Sequence, residues 1–182
     1  PLIEIAPIER REQWLRAARQ ARLLSWLSLA WMTAEGAIAI TAGVVAGSIA
    51  LVGFGIDSAI EGLASAVIVW RFTGSRLHSQ AAETRAQRLV AIQFFLLAPY
   101  ITAEAIHRLI TGEQPGTSWL GIALTITSLI GMPLLGVAKR RLAVTLGSPA
   151  TRGEGTQNLL CAYLAAAVLV GLLGNTLFGL WW

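Results

Sequence analysis

Five apolar runs, each about 20 residues or longer, limit what this chain folds into more than any other feature. A helix of ~20 apolar residues spans ~30 Å of hydrocarbon, and inside lipid its backbone polar groups must be satisfied within the protein. The runs lie at about 22–46, 49–71, 88–111, 118–138 and 156–179. Only 13% of residues are charged and 55% are hydrophobic, whereas a soluble domain carries about 25% charged residues. Too few polar side chains remain to coat a soluble bundle. The expected fold class is all-α, a polytopic membrane helix bundle with five spans in this chain. The chain stops at "GLWW", just past the fifth run, and a sixth helix is expected to follow.

The charges give the bundle its sides. Residues 1–20 form a polar, Arg-rich lead-in, helical from Glu9 and with Trp14 on an interfacial face; residues 21–182 form the transmembrane domain. The lead-in is not a signal peptide, because its polar part is long and the run after it contains Glu35 and leads straight into another span. Turns are expected at Gly47-Ser48 and in "TGEQPGTS", 111–118. The basic residues Arg10, Arg11, Arg16, Arg19 and Arg22 precede the first span or open it. Arg71, Arg76, Arg85 and Arg88 fall between the second and third, and Lys139, Arg140, Arg141 and Arg152 between the fourth and fifth. Only Arg108 falls on the other side, where Trp119 and Trp181-Trp182 suit the opposite interface. The positive-inside rule then places the N-terminus in the cytoplasm of a multi-pass cell-membrane protein. The bias to Arg over Lys is that of a GC-rich bacterial genome, and a bacterial inner membrane is the expected location. The pI of about 10.2 does not signal nucleic acid, since topology accounts for where the arginines sit. With Cys161 as the single cysteine, no internal disulfide forms.

The second run contains "GFGIDSAIEG", residues 53–62. An ionisable residue at the bilayer centre costs about 2.5–3.5 kcal/mol, so Glu35, Asp57, Glu61 and Glu104 would together cost on the order of 10 kcal/mol if charged and unpaired. In the sequence reading no Lys or Arg lies deep enough to neutralise them, and a bound cation is the candidate partner. Asp57 and Glu61, at i and i+4, share a helix face with Cβ atoms about 5–6 Å apart. A divalent cation would relieve their repulsion and displace protons, so metal and proton would compete for one site. Hydrogen-bonding by protonated acids between helices is the structural alternative. The fifth run opens with "RGEGTQNLLCAYL", in which Gln157 and Cys161 repeat the i, i+4 spacing and Glu154 precedes them. Taken alone, Cys161 reads as a small hydrophobe and Gln157 as a helix cap. Glu104 has His107 and Arg108 one turn on, a local ion-pair pattern. Glu35 lacks a local partner, and Gly36, Gly43, Gly47 and Gly53 allow helices to pack closely around it.

The segment "GSIALVGFGIDSAIEGLASAVIVW" resembles the second transmembrane helix of the cation diffusion facilitator family, with Asp57 and Glu61 on its two acidic positions. The resemblance covers about residues 20–182. It implies that the fifth helix supplies further ligands where the family has an acid, then His-x-x-x-Asp. By spacing, Glu154 falls on the preceding acid, Gln157 on the His and Cys161 on the second acid. The chain looks like a short, transmembrane-only branch, similar to vesicular zinc transporters that lack the cytoplasmic C-terminal domain. The implied metal ligands are Asp57, Glu61, Cys161 and Gln157, with Glu35, Glu104 and Glu154 as candidate proton relays or secondary ligands. The mixed donor set suits zinc or a related divalent ion.

The resemblance therefore implies a proton-coupled divalent-metal efflux transporter, with the metal as substrate, no permanently bound cofactor, and a homodimer in the bilayer. The competing reading is a non-transporting scaffold or accessory subunit of a larger membrane complex. An enzyme is not expected: no Ser/His or His cluster is present, and His78 and His107 lie at opposite ends of the bundle.

Overall fold

In a computed structural model, residues 2–46, 49–112 and 119–178 are described, and all the regular structure among them is helical. Five α-helices follow in order: α1 (Leu2–Ala46), α2 (Ile49–Arg71), α3 (Gln80–Thr111), α4 (Trp119–Leu146) and α5 (Pro149–Phe178). A short 3-10 segment, Gly74–His78, joins α2 to α3. The ends facing the sparsely charged side agree with the expected spans. On the arginine-rich side the helices run further: α3 begins at 80 rather than 88, α4 ends at 146 rather than 138, and α5 begins at 149 rather than 156. The lead-in is continuous with the first span as one helix. Among the described residues, four helices are long and apolar enough to cross a membrane: α1, α2, α3 and α4. The fifth expected span, α5, is not among them. The continuous stretch of α5 whose side chains are described, 149–167, opens on Thr151, Arg152, Glu154, Gln157 and Asn158, which lower its hydropathy.

Two close helix pairs form the bundle, α1 with α2 and α4 with α5. Each pair crosses where two glycines let backbones touch. A Cβ on Gly36 would lie 3.1 Å from the Gly55 carbonyl oxygen, and one on Gly136 would lie 2.8 Å from that of Gly155. The pairs meet through α1 and α4 and through α2 and α5, while α3 lies against α2 and α5. Tyr100 donates from its hydroxyl to the Gly53 carbonyl at 2.7 Å, tying α3 to α2.

The arginine-rich end is closed by buried polar contacts. Arg71 Nε donates to Glu83 Oε2 at 2.8 Å, and Glu83 Oε1 accepts from Ser148 Oγ at 2.8 Å and from the Ala150 N–H at 3.1 Å. One carboxylate thus holds the end of α2, the start of α3 and the α4–α5 turn together. Trp14 does not lie free at the interface. It stacks on His78, and its Nε1 donates to the Leu146 carbonyl at 3.2 Å. The expected turn at 47–48, residues 113–118 of the turn expected at 111–118, the Trp181-Trp182 pair and the side chains of Glu104, Arg108 and Trp119 lie outside the described residues.

Candidate cation site

Asp57 and Glu61 lie one turn apart on α2, just past Gly55, where α2 crosses Gly36 of α1. Cys161, 8% exposed, lies on α5 with its thiol within hydrogen-bonding reach of the Glu61 carboxyl. Asp57 and Glu35 are close enough to Glu61 to act on its charge. The four ionisable groups thus form one cluster on three helices. Glu61 is buried, and its Oε1 has no hydrogen-bond partner. Gln157 is buried as well, with neither its amide oxygen nor its amide nitrogen hydrogen-bonded. Buried polar atoms are ordinarily satisfied, and each that is not calls for a ligand, a water or an ion. A cavity of about 10 Å³, room for about one water, lies between them, lined by Met32, Glu61, Ser65, Glu154, Gln157 and Asn158.

Of the remaining expected residues, Glu35 and Glu154 have partners of their own, and the Glu104 side chain lies outside the described residues. Glu35 is 1% exposed; its Oε1 accepts from Ser128 Oγ at 2.6 Å and its Oε2 from Ser58 Oγ at 3.2 Å. It bridges α1, α2 and α4 on the side of the cluster away from the arginines. Glu154 Oε2 accepts from Ser25 Oγ at 2.8 Å, and its Oε1 forms an ion pair with Lys139 Nζ at 2.7 Å. Among the described residues, no three of His, Cys, Asp and Glu are arranged to hold a metal ion as they stand.

Lys139 corrects the sequence reading, which placed it with Arg140 and Arg141 in a basic connection. It is fully buried, and its ammonium also donates to Ser28 Oγ at 2.6 Å and Asn158 Oδ1 at 3.0 Å. The reason is length: α4 continues to Leu146, so Lys139 lies two turns inside the helix and faces α1 and α5. A buried cation therefore does exist in the bundle, and it neutralises Glu154.

A signal for this arrangement was present in the chain. Adding 100 to the residue number carries Ser28, Met32 and Gly36 of α1 onto Ser128, Met132 and Gly136 of α4, and Gly53 and Gly55 of α2 onto Gly153 and Gly155 of α5. Asp57 and Glu61 map onto Gln157 and Cys161, and Ser58 onto Asn158. The two halves run in opposite directions across the bundle, the pattern of an inverted repeat. Gln93 was also missed. It is buried with Oε1 unbonded, one turn beyond Val90, which packs where Gly153 has no side chain.

The family model for the cation efflux transmembrane domain matches residues 25–182. Transmembrane protein 163 of Xenopus laevis is 28% identical over 153 residues, covering 84% of this chain and 54% of the relative. The chain thus spans about half the length of that curated relative. No solved structure matches it.

Proposed function

The chain belongs to the cation efflux family, and from that premise we propose that it exports a divalent metal ion in exchange for protons. The family carries cations across membranes, and the helices are those of a multi-pass membrane protein. Zinc or a related ion is the proposed substrate, the cytoplasm the proposed location of the N-terminus, and a homodimer the proposed assembly.

One observation carries the reading. Glu61 of α2 and Cys161 of α5 meet inside the bundle beside Asp57, with the unsatisfied amide of Gln157 on the same helix as the thiol. Carboxylate oxygens, a thiolate and an amide oxygen are together a donor set for a borderline ion such as zinc. Binding would need the thiol and carboxyl protons to leave, and return of those protons from the other side would release the metal. Movement of α5 relative to α2 would bring the ligands together and part them again.

Reconstitution in proteoliposomes around a metal-sensitive dye tests this. The parent should drive metal flux under an opposing proton gradient, and Asp57→Ala and Glu61→Ala should abolish it. Equal flux in the parent and both variants would place the route elsewhere. The scaffold reading is favoured by the lack, among the described residues, of a ready three-residue metal cluster. Folded protein that neither binds nor moves a divalent ion would establish it.

A further inference from the structure

The transport reading explains the acids of α2 and the thiol of α5, but not a fully buried lysine. Lys139 is held by a carboxylate, a hydroxyl and an amide oxygen at 2.6–3.0 Å, contributed by α1 and α5. Three oxygens around a cation resemble an ion's coordination shell, with the protein's own ammonium in the place of the ion. The Glu154 and Asn158 side chains that hold it also line the small cavity reaching Glu61 and Gln157. On α5, Glu154 lies seven residues before Cys161, about 10 Å at ~1.5 Å per residue, toward the arginine-rich end. The pair thus stands on α5 between the cluster and the arginine-rich end, beside the cavity that reaches Glu61.

The opposite end of the cluster has a counterpart built on equivalent positions. Lys139 is bonded to Ser28 of the other half and Asn158 of its own half. Glu35 is bonded to Ser128 of the other half and Ser58 of its own. Ser28 and Ser128, and Asn158 and Ser58, are the pairs related by the internal repeat. Each cluster joins α1 to α4 and to the second helix of its own half, one on each side of the Glu61–Cys161 contact.

We propose that the Lys139–Glu154 pair is the gate between the cation site and the arginine-rich side, and that Glu35 with Ser58 and Ser128 is the gate on the other side. The proposal rests on the transport reading for its purpose. Its test does not need transport.

Cys161 is the chain's single cysteine and lies between the two clusters, so its reaction with a charged, membrane-impermeant thiol reagent reports water access from each face. Reagent would be applied to either face of sealed vesicles holding the full chain. The parent should label slowly from both faces. Lys139→Met should speed labelling from the arginine-rich face about tenfold or more, because the rate follows the population of the open form. It should leave the other face unchanged. Glu35→Gln should do the reverse. Should Lys139→Met fail to fold, Glu154→Gln breaks the same ion pair with an isosteric side chain, and the exchange Lys139→Glu with Glu154→Lys should restore slow labelling. Unchanged labelling in the Lys139 and Glu154 variants, or faster labelling from both faces alike, overturns the gate. Sided labelling without metal flux in proteoliposomes leaves the gate standing and removes the transport reading. Flux without sided labelling does the opposite.

Discussion

Lys139 and Glu154 should push cation affinity in opposite directions when removed one at a time. As a pair they contribute no net charge to the Asp57–Glu61–Cys161 cluster. Lys139→Met leaves one negative charge about 10 Å from Cys161, by the rise along α5. A divalent ion and a unit charge at that separation interact by about 3 kcal/mol at an effective dielectric of ~20, or roughly 100-fold in affinity. Lys139→Met should therefore tighten divalent-ion binding, and Glu154→Gln, which leaves the ammonium unpaired, should weaken it. The double variant should return close to the parent. Isothermal titration of purified protein with Zn²⁺ or Cd²⁺ at fixed ionic strength measures all four affinities. In flux assays the lysine variant should saturate at lower metal concentration and turn over more slowly, because release from the tighter site is slower. Single variants that shift affinity in the same direction, or a double variant that departs from the parent more than either single, would show that the pair does not act on the site through charge.

Gly55→Ala should cost stability where Gly62→Ala does not. The new Cβ at 55 would lie 2.9 Å from the Gly36 oxygen and the Ile40 nitrogen, both backbone, whereas at 62 it meets only side-chain atoms at 3.4 Å and beyond. Overpacking of this kind costs about 1–3 kcal/mol, which unfolding in mixed micelles resolves, and equal stabilities would remove the close crossing. Glu83→Ala leaves the Arg71 guanidinium buried without its carboxylate, at a cost of about 3–5 kcal/mol. The double change with Arg71→Leu should recover part of that loss in the same unfolding assay. Cys161→Ser replaces a soft donor with a hard one, so competition binding should show Cd²⁺ losing more affinity than Mn²⁺; equal losses would remove the thiol from the ligand set.

The membrane class, the helix order and the outer helix ends were legible because apolar length is a local property. The arginine-rich ends were less so. Polar segments such as 80–87 and 149–155 look like connections in sequence, yet they continue helices because Glu83, Ser148 and Thr151 satisfy one another there. The i, i+4 spacing of Asp57 and Glu61 shows in sequence only that both share one face of α2. Lys139 was misplaced because its charge was counted toward a loop, and only the depth of α4 in the bundle reveals its partners. Cys161 and Gln157 gave weak signals singly. Their meaning lies in the repeat, in which the second half keeps the glycines and the spacing but replaces both acids.

That replacement bears on how a site of this kind handles charge. Had the second half kept its acids, four carboxylates would converge on one ion, and a divalent cation would leave two of their charges unmatched. With Gln157 and Cys161 in their places, the second half offers a neutral amide and a thiol whose proton would leave on metal binding. Lys139 removes Glu154 from the count. On the proposed reading Asp57, Glu61 and the Cys161 thiolate would bring three negative charges to the ion rather than four, while Glu35, hydrogen-bonded to two serines, stands beyond them on the far side. On this reading the buried lysine belongs to the same design as the acids: it confines the negative charge to one level of the bundle, so that an ion crossing it finds a single place to stop.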